Sequence, residues 1–255
     1  MFRFYYLVIV FFPLIIYYIT KAEYYCAHED KYDDNMRFNL AVRIIHAVQK
    51  HGRISTVSYG NDNLPKEGGY IMYANHQGKY DALGIMDAHK TICSVIMDAQ
   101  RSKMPLADQV IELVRGIRLD RTNFKQQVKV LDQMSKDTSD GRRFIYFPEG
   151  GYDHNGNKLQ EFRAGAFKVA MRVNAPIVPV AIYDSHIPFD FSSLRKVTTQ
   201  VYFMDPIYPE QYEGMSTQEV SAMVKDLIEN KLDELEENRR LNGFNSKFKQ
   251  YRVVE

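Results

Sequence analysis

The chain contains no tryptophan, so aromatic anchoring falls to its 18 tyrosines and 15 phenylalanines. Its two cysteines, Cys26 and Cys93, lie far apart. That excludes a disulfide framework and any cysteine metal-ligand spacing, and the pair reads as free thiols of a reducing compartment. Acidic and basic residues nearly cancel, leaving a formal net charge of +1. Bulk electrostatic attraction to nucleic acid is thereby excluded. There is no internal repeat and no low-complexity stretch. No serine sits in a G-x-S-x-G elbow, and Cys93 lies inside an apolar run, so a covalent acyl-enzyme route is disfavoured. The tight H-x-x-x-H spacing of many metal sites is missing too. A metal-dependent hydrolase built on His76, Asp81, Asp153 and His154 is therefore a weak rival, and no metal is expected.

Long charge-free stretches are few, and one stands out. Phe4 to Ile19 reads FYYLVIVFFPLIIYYI, preceded by Arg3 and followed by Lys21. As one helix it would reach about 24 Å, short of a hydrocarbon core of about 30 Å. Flanking Tyr and Lys suit the headgroup level, and membrane helices tolerate a residue such as Pro13. The segment reads as a retained membrane anchor, either spanning or lying in one leaflet. A signal peptide would need a small-residue cleavage site, and Thr20-Lys21-Ala22-Glu23 is a poor one; a buried core helix is the third reading. Met36 to Lys50 follows with Phe38, Val42, Ile45 and Val48 at helical steps, which predicts an amphipathic helix on a membrane or on the domain. We take residues 1–50 as membrane-anchoring helices and 51–255 as a catalytic domain.

From residue 54 short apolar runs alternate with helical stretches. Ile54–Ser58, Tyr70–Ala74, Ile92–Met97, Ile117–Leu119, Arg143–Phe147, Ile177–Ile182 and Val197–Phe203 read as strands. Ala82–Ala88, Pro105–Val114, Asn123–Lys136 and Ala164–Val173 read as helices. A last helix starts at the capping box Ser216-Thr217-Gln218-Glu219, with Val220, Val224, Leu227, Ile228, Leu232 and Leu235 as its apolar face. The alternation predicts an α/β fold with a mostly parallel central sheet flanked by helices, and a site at the carboxyl ends of the strands.

The strand at Tyr70–Ala74 runs into Asn75-His76-Gln77-Gly78-Lys79-Tyr80-Asp81. A histidine leaving a strand and an aspartate five residues on at a helix start can close into a hydrogen-bonded pair. The carboxylate then fixes the tautomer and leaves the other ring nitrogen free to take a proton. Taken alone, H-x4-D is weak, and a polar strand end with an Asp cap explains it as well. Phe147-Pro148-Glu149-Gly150 ends another strand, where Glu149 is either a functional carboxylate or a loop acid. Arg115, Arg118 and Arg121 cluster about a third strand, and guanidinium forks suit phosphate oxygens. Glu161-Phe162-Arg163-Ala164-Gly165-Ala166-Phe167 and Pro176-Ile177-Val178-Pro179-Val180-Ala181 complete the set.

The order N-H-x4-D, D-R, F-P-E-G, F-R-x-G-A-F, P-I-V-P-V-A resembles the glycerophospholipid acyltransferase family, above all bacterial 1-acylglycerol-3-phosphate acyltransferases. The resemblance covers roughly residues 55–210. It implies a catalytic dyad of His76 and Asp81, with His76 as general base. It implies an acceptor-phosphate arginine at Arg121, beside Asp120 and helped by Arg115 or Arg118. Glu149, followed by Gly150, is implied in acceptor binding, and Val178 and Pro179 lie towards the acyl donor. Backbone N–H groups near the Asn75–Gly78 turn, or a nearby cation, would stabilise the oxyanion. The implied reaction is acyl transfer from acyl-CoA or acyl-carrier protein to lysophosphatidic acid, at a membrane and on its cytoplasmic side. No cofactor is implied beyond that co-substrate. A different lysophospholipid acceptor, or a catalytically silent lipid-binding relative, is the alternative. The chain departs from the family pattern where F-P-E-G usually continues with Thr and Arg; Gly151 and Tyr152 stand there. Arg115 replaces a frequent glycine, and Asp98 and Ala99 stand where a lysine is usual.

Overall fold

The computed structural model describes residues 2–100, 102, 106–120 and 122–241. Seven strands form one sheet: β1 (Ile54–Tyr59), β2 (Ile71–Ala74), β3 (Ser94–Asp98), β4 (Ile117–Leu119), β5 (Phe144–Tyr146), β6 (Ile177–Tyr183) and β7 (Val197–Phe203). Their order is β1-β7-β6-β2-β5-β3-β4. Strands β6, β2, β5, β3 and β4 run parallel. β7 is antiparallel to β6 and parallel to β1, so these two edge-side strands run opposite to the other five. All seven expected strands are present, and the sheet is mostly parallel.

Ten α-helices accompany the sheet among the described residues: α1 (Phe2–Val10), α2 (Phe12–Ala27), α3 (Asp34–Gly52), α4 (Asp81–His89), α5 (Ala107–Leu113), α6 (Phe124–Ser139), α7 (Lys168–Arg172), α8 (Ile187–Asp190), α9 (Pro209–Tyr212) and α10 (Thr217–Leu241). Strand periodicity places them. In β2, Met72 and Ala74 face a core shared with Ile44 and Ile45 of α3, Ile85 of α4 and Ile111 of α5. Ile71 and Tyr73 face the opposite core, with Met134 of α6, Val169 of α7 and Val220, Val224, Ile228 and Leu232 of α10. Each such aliphatic side chain contributes at most about 1.5–3 kcal/mol on burial. α10 opens on the expected box: Ser216 N donates to Glu219 Oε2 at 2.7 Å, and Glu219 N to Ser216 Oγ at 3.3 Å.

The N-terminal run differs from its expectation as a single helix. It breaks at Phe11, and α1 and α2 meet at 78°. Pro13 sits in the first turn of α2, where its missing N–H leaves no helix bond broken. No single described helix is long and apolar enough to cross a membrane, although the bent pair meets the length and composition test together. α2 continues past the apolar run to Ala27, because Lys21 and Glu23 are good helix formers. Arg3 is buried and donates to the carbonyl oxygens of Pro188 and Arg195.

The expected boundary at residue 50 falls within the last turn of α3, whose inner face lies in the same core as the sheet. At the foot of this helix the buried Arg37 donates to Glu29 at 2.8 Å and to the Glu112 carbonyl at 2.6 Å. Asp33 caps α3 by accepting from Met36 N at 2.8 Å. Asp33→Ala removes that acceptor and lowers stability by about 1 kcal/mol, read as a shift in urea midpoint at unchanged slope. An unmoved midpoint would show that the cap contributes nothing.

Candidate active site

His76 leaves the carboxyl end of β2, and the turn that follows folds back so that Asp81 opens α4 beneath it. His76 Nδ1 lies 2.7 Å from Asp81 Oδ2. The same oxygen accepts from Gln77 N at 2.5 Å and Gly78 N at 2.8 Å. Asp81 therefore caps the turn before its helix, instead of capping α4 itself. It is 1% exposed, so the carboxylate is held where water does not compete. Phe147 stacks on the imidazole at 4.4 Å, and Tyr152 meets it edge-on at 4.8 Å. With Nδ1 engaged, Nε2 is the nitrogen left for chemistry, and His76 lines a cavity of about 950 Å³.

That cavity is walled mostly by apolar side chains and reaches both faces of the sheet. Ile45, Met86 and Ile111 line it on one face, and Val130, Leu131 and Met134 on the other. Its third wall is the N-terminal pair: Phe4 and Leu7 of α1, Leu14 and Tyr18 of α2. The ammonium of Lys79, in the His76 turn, lies 5.1 Å from the Phe4 ring centre and ties that wall to the site. Its polar lining includes His76, Lys79, Asp98, Gln127, Arg163 and Lys168, and Gly150 and Gly151 border it. Gly150 adopts φ +79°, a conformation that glycine takes without the Cβ clash.

Other expected residues have different tasks. Asn75 is buried, and its amide clamps strand β6, accepting from Ile182 N at 2.8 Å and donating to Ile182 O at 3.0 Å. Glu149 is also buried; Oε1 accepts from His76 N at 3.0 Å and Oε2 from Gln160 Nε2 at 2.6 Å. Both therefore support the backbone at His76. The N–H groups of His76, Gln77 and Gly78 are likewise occupied by Glu149 and Asp81, so they do not form the expected oxyanion site. Arg115 precedes β4, at the sheet edge opposite to His76, and is paired with Asp34 at 2.7 Å and Glu29 at 3.1 Å. Arg118 is paired with Asp108 at 2.6 Å and with Glu112. These ion pairs already engage both arginines with carboxylates of the chain itself. Arg121 lies outside the described residues. His154 pairs with Asp190, and among the described residues no three His, Cys, Asp or Glu side chains gather as a metal site.

A second network joins the turn to the far side of the fold. Gln77 Nε2 donates to Ile182 O and to Asn157 Oδ1, both at 2.9 Å, and Gln77 Oε1 accepts from Ser185 N at 2.8 Å. Asn157 Nδ2 donates to Asp184 Oδ1 at 3.0 Å, and Arg239 of α10 donates to the other oxygen of Asp184. Sequence spacing gave no sign of Asn157 or Asp184, which reach partners across the fold, nor of Gln160, which meets Glu149 from 11 residues further along the chain.

A family model described as Acyltransferase matches residues 55–183. Human 1-acyl-sn-glycerol-3-phosphate acyltransferase alpha is 28% identical over 200 residues, covering 78% of this chain and 69% of that protein. The Escherichia coli (strain K12) 1-acyl-sn-glycerol-3-phosphate acyltransferase is 26% identical over 180 residues, with 70% of each chain covered. The crystal structure of the 1-acyl-sn-glycerophosphate (LPA) acyltransferase PlsC from Thermotoga maritima superposes with a TM-score of 0.74 at 20% identity. It covers 92% of this chain and 93% of that one, so the fold is shared.

Burial raises the Glu149 carboxyl to about 7, against the hydrogen bonds from His76 and Gln160 that favour its ionised form. The folded state thus keeps a proton that the unfolded chain releases near 4.5. Stability accordingly falls as pH rises from 4.5 to about 7 and levels off above, by on the order of 3 kcal/mol for this group. Urea unfolding across that range, wild type beside Glu149→Gln, reads the difference: the variant loses this part of the slope. Parallel profiles would show that Glu149 is not the titrating group.

Proposed function

The chain belongs to the acyltransferase family, and from that premise we propose that it acylates the sn-2 hydroxyl of 1-acylglycerol-3-phosphate, making phosphatidic acid for phospholipid synthesis. The observation that carries the reading is the His76–Asp81 pair at 2.7 Å, with His76 lining a large, mostly apolar cavity. The names of the human and Escherichia coli relatives support the same acceptor. The donor is an acyl thioester, acyl-CoA or acyl-carrier protein, and no further cofactor takes part.

The residues act as follows. His76 Nε2 removes the proton of the acceptor hydroxyl as its oxygen attacks the thioester carbonyl. Asp81, anchored by two backbone N–H groups, holds the imidazole in the tautomer that accepts at Nε2 and stabilises the imidazolium. The carbon–sulfur bond breaks, and the proton returns from His76 to the thiolate. Because the nearby backbone N–H groups are occupied, the developing oxyanion is left to Lys79, which lines the cavity three residues from His76. The apolar walls take acyl chains and keep bulk water from the thioester.

The partner surface is a lipid bilayer, with residues 1–50 as the anchoring part and the catalytic side facing the cytoplasm. Phe2, Tyr5, Ile9, Val10 and Phe12 are exposed on the outside of α1 and at the start of α2, a contiguous apolar group of the kind that marks an interaction surface. Entry of this face into one leaflet places the cavity wall against the lipid, so a lysolipid reaches His76 without passing its chain through water.

His76→Ala lowers acyl transfer to lysophosphatidic acid at least about a hundredfold, and Asp81→Asn by on the order of 10²–10⁴ through the wrong tautomer. Detergent-purified protein with both donors and a panel of lysolipids, read by mass spectrometry of the diacyl product, measures this. A fully active His76→Ala variant ends the mechanism; preference for another lysolipid ends only the acceptor assignment. For the membrane surface, Ile9→Glu with Val10→Glu lowers the vesicle-bound fraction at least about tenfold, measured by flotation. Unchanged flotation would place the contact elsewhere.

A further inference from the structure

We propose that the acceptor's phosphate is held by Arg163 and Lys168, one on either side of the bare backbone at Gly165. The proposal rests on the acyltransferase reading of the cavity and names the residues that recognise a phosphomonoester there.

After Phe-Pro-Glu-Gly the chain supplies no cation beside His76: Tyr152 stands edge-on to its ring. Arg115 and Arg118 are each neutralised by two carboxylates. Arg163 and Lys168 differ from them. Both line the same cavity as His76, and neither side chain has a hydrogen bond or ion pair among the described residues. Cations close by in sequence or space do: Arg172 is paired with Asp132, and Lys225 with Glu161.

Their placement is fixed by the backbone. Arg163 N donates to Pro148 O at 3.0 Å, and Pro148 follows Phe147, the ring stacked on His76. Arg163 thus springs from the strand-end segment that supports the general base. A turn over Ala164–Phe167 then brings in Lys168 at the start of α7. Between the two cations Gly165 also lines the cavity; all three residues are exposed at its rim, and a Cβ on Gly165 would meet nothing within 4 Å. An open space flanked by two unpartnered cations fits a dianionic phosphate: the guanidinium offers a planar fork and the ammonium a compact charge. In the acceptor the sn-2 hydroxyl and the sn-3 phosphate sit on adjacent carbons, and the two cations line one cavity with His76.

The test compares wild type, Arg163→Gln, Lys168→Gln and the double variant with lysophosphatidic acid and with 1-monoacylglycerol, which lacks the phosphate. The double variant raises KM for lysophosphatidic acid about tenfold or more, changes kcat less, and leaves KM for monoacylglycerol unmoved. Arg163→Lys recovers part of the loss. An equal rise for both acceptors, an unchanged KM for lysophosphatidic acid, or full reproduction of the effect by Arg121→Gln alone overturns the proposal. Binding of sn-glycerol 3-phosphate, followed by phosphorus NMR, needs no turnover. Its loss in the double variant supports the site even if the wild type transfers no acyl chain to lysophosphatidic acid, which would instead end the functional reading. Equal binding by wild type and double variant overturns the site.

Discussion

One carboxylate oxygen organises the site. Asp81 Oδ2 accepts from the His76 ring and from two successive backbone N–H groups, so the turn cannot close without aiming the imidazole. A hydrogen bond to a charged group is among the stronger ones, and burial strengthens it further. The supports of this turn are built around the same point. Glu149 holds the backbone of His76 from one side, while Asn75 and Gln77 tie the turn to β6 from the other. Catalytic geometry and local folding are therefore one set of interactions, and a change at any member moves the base.

Much of the fold was legible in the sequence because it is written in local periodicity. Seven strands followed from short apolar runs, and the α10 capping box from four residues. The His76–Asp81 pair was legible for the same reason, being a five-residue closure at a strand end. What escaped has long reach or no polar marker. An apolar run carries no sign of where it bends, so Phe4–Ile19 read as one helix although it turns at Phe11. Arginines at strand ends look alike in sequence. Arg115 was placed with the phosphate because its partners, Asp34 and Glu29, lie over 80 residues away. Glu149 carries a similar hidden contact: nothing near it in sequence shows that His76 N lies against its carboxylate.

The cavity makes the N-terminal helices part of the catalytic machinery. Their inner residues wall the space that opens onto His76, while their outer residues remain apolar and exposed. The same two helices therefore wall the cavity and carry exposed apolar side chains.

The buried Arg37 gives this sharing a consequence for modularity. Its guanidinium donates to Glu29, just beyond α2, and to a carbonyl of α5. The leading segment is thus wired electrostatically into the body that it would otherwise merely tether. Cutting the chain after residue 30 to obtain a freely diffusing enzyme would strip away that carboxylate and leave a charge enclosed in protein without its counter-ion, which proteins tolerate poorly. Leading helices and catalytic body are joined through this ion pair, and a swap of one between relatives has to carry the arginine's partner with it.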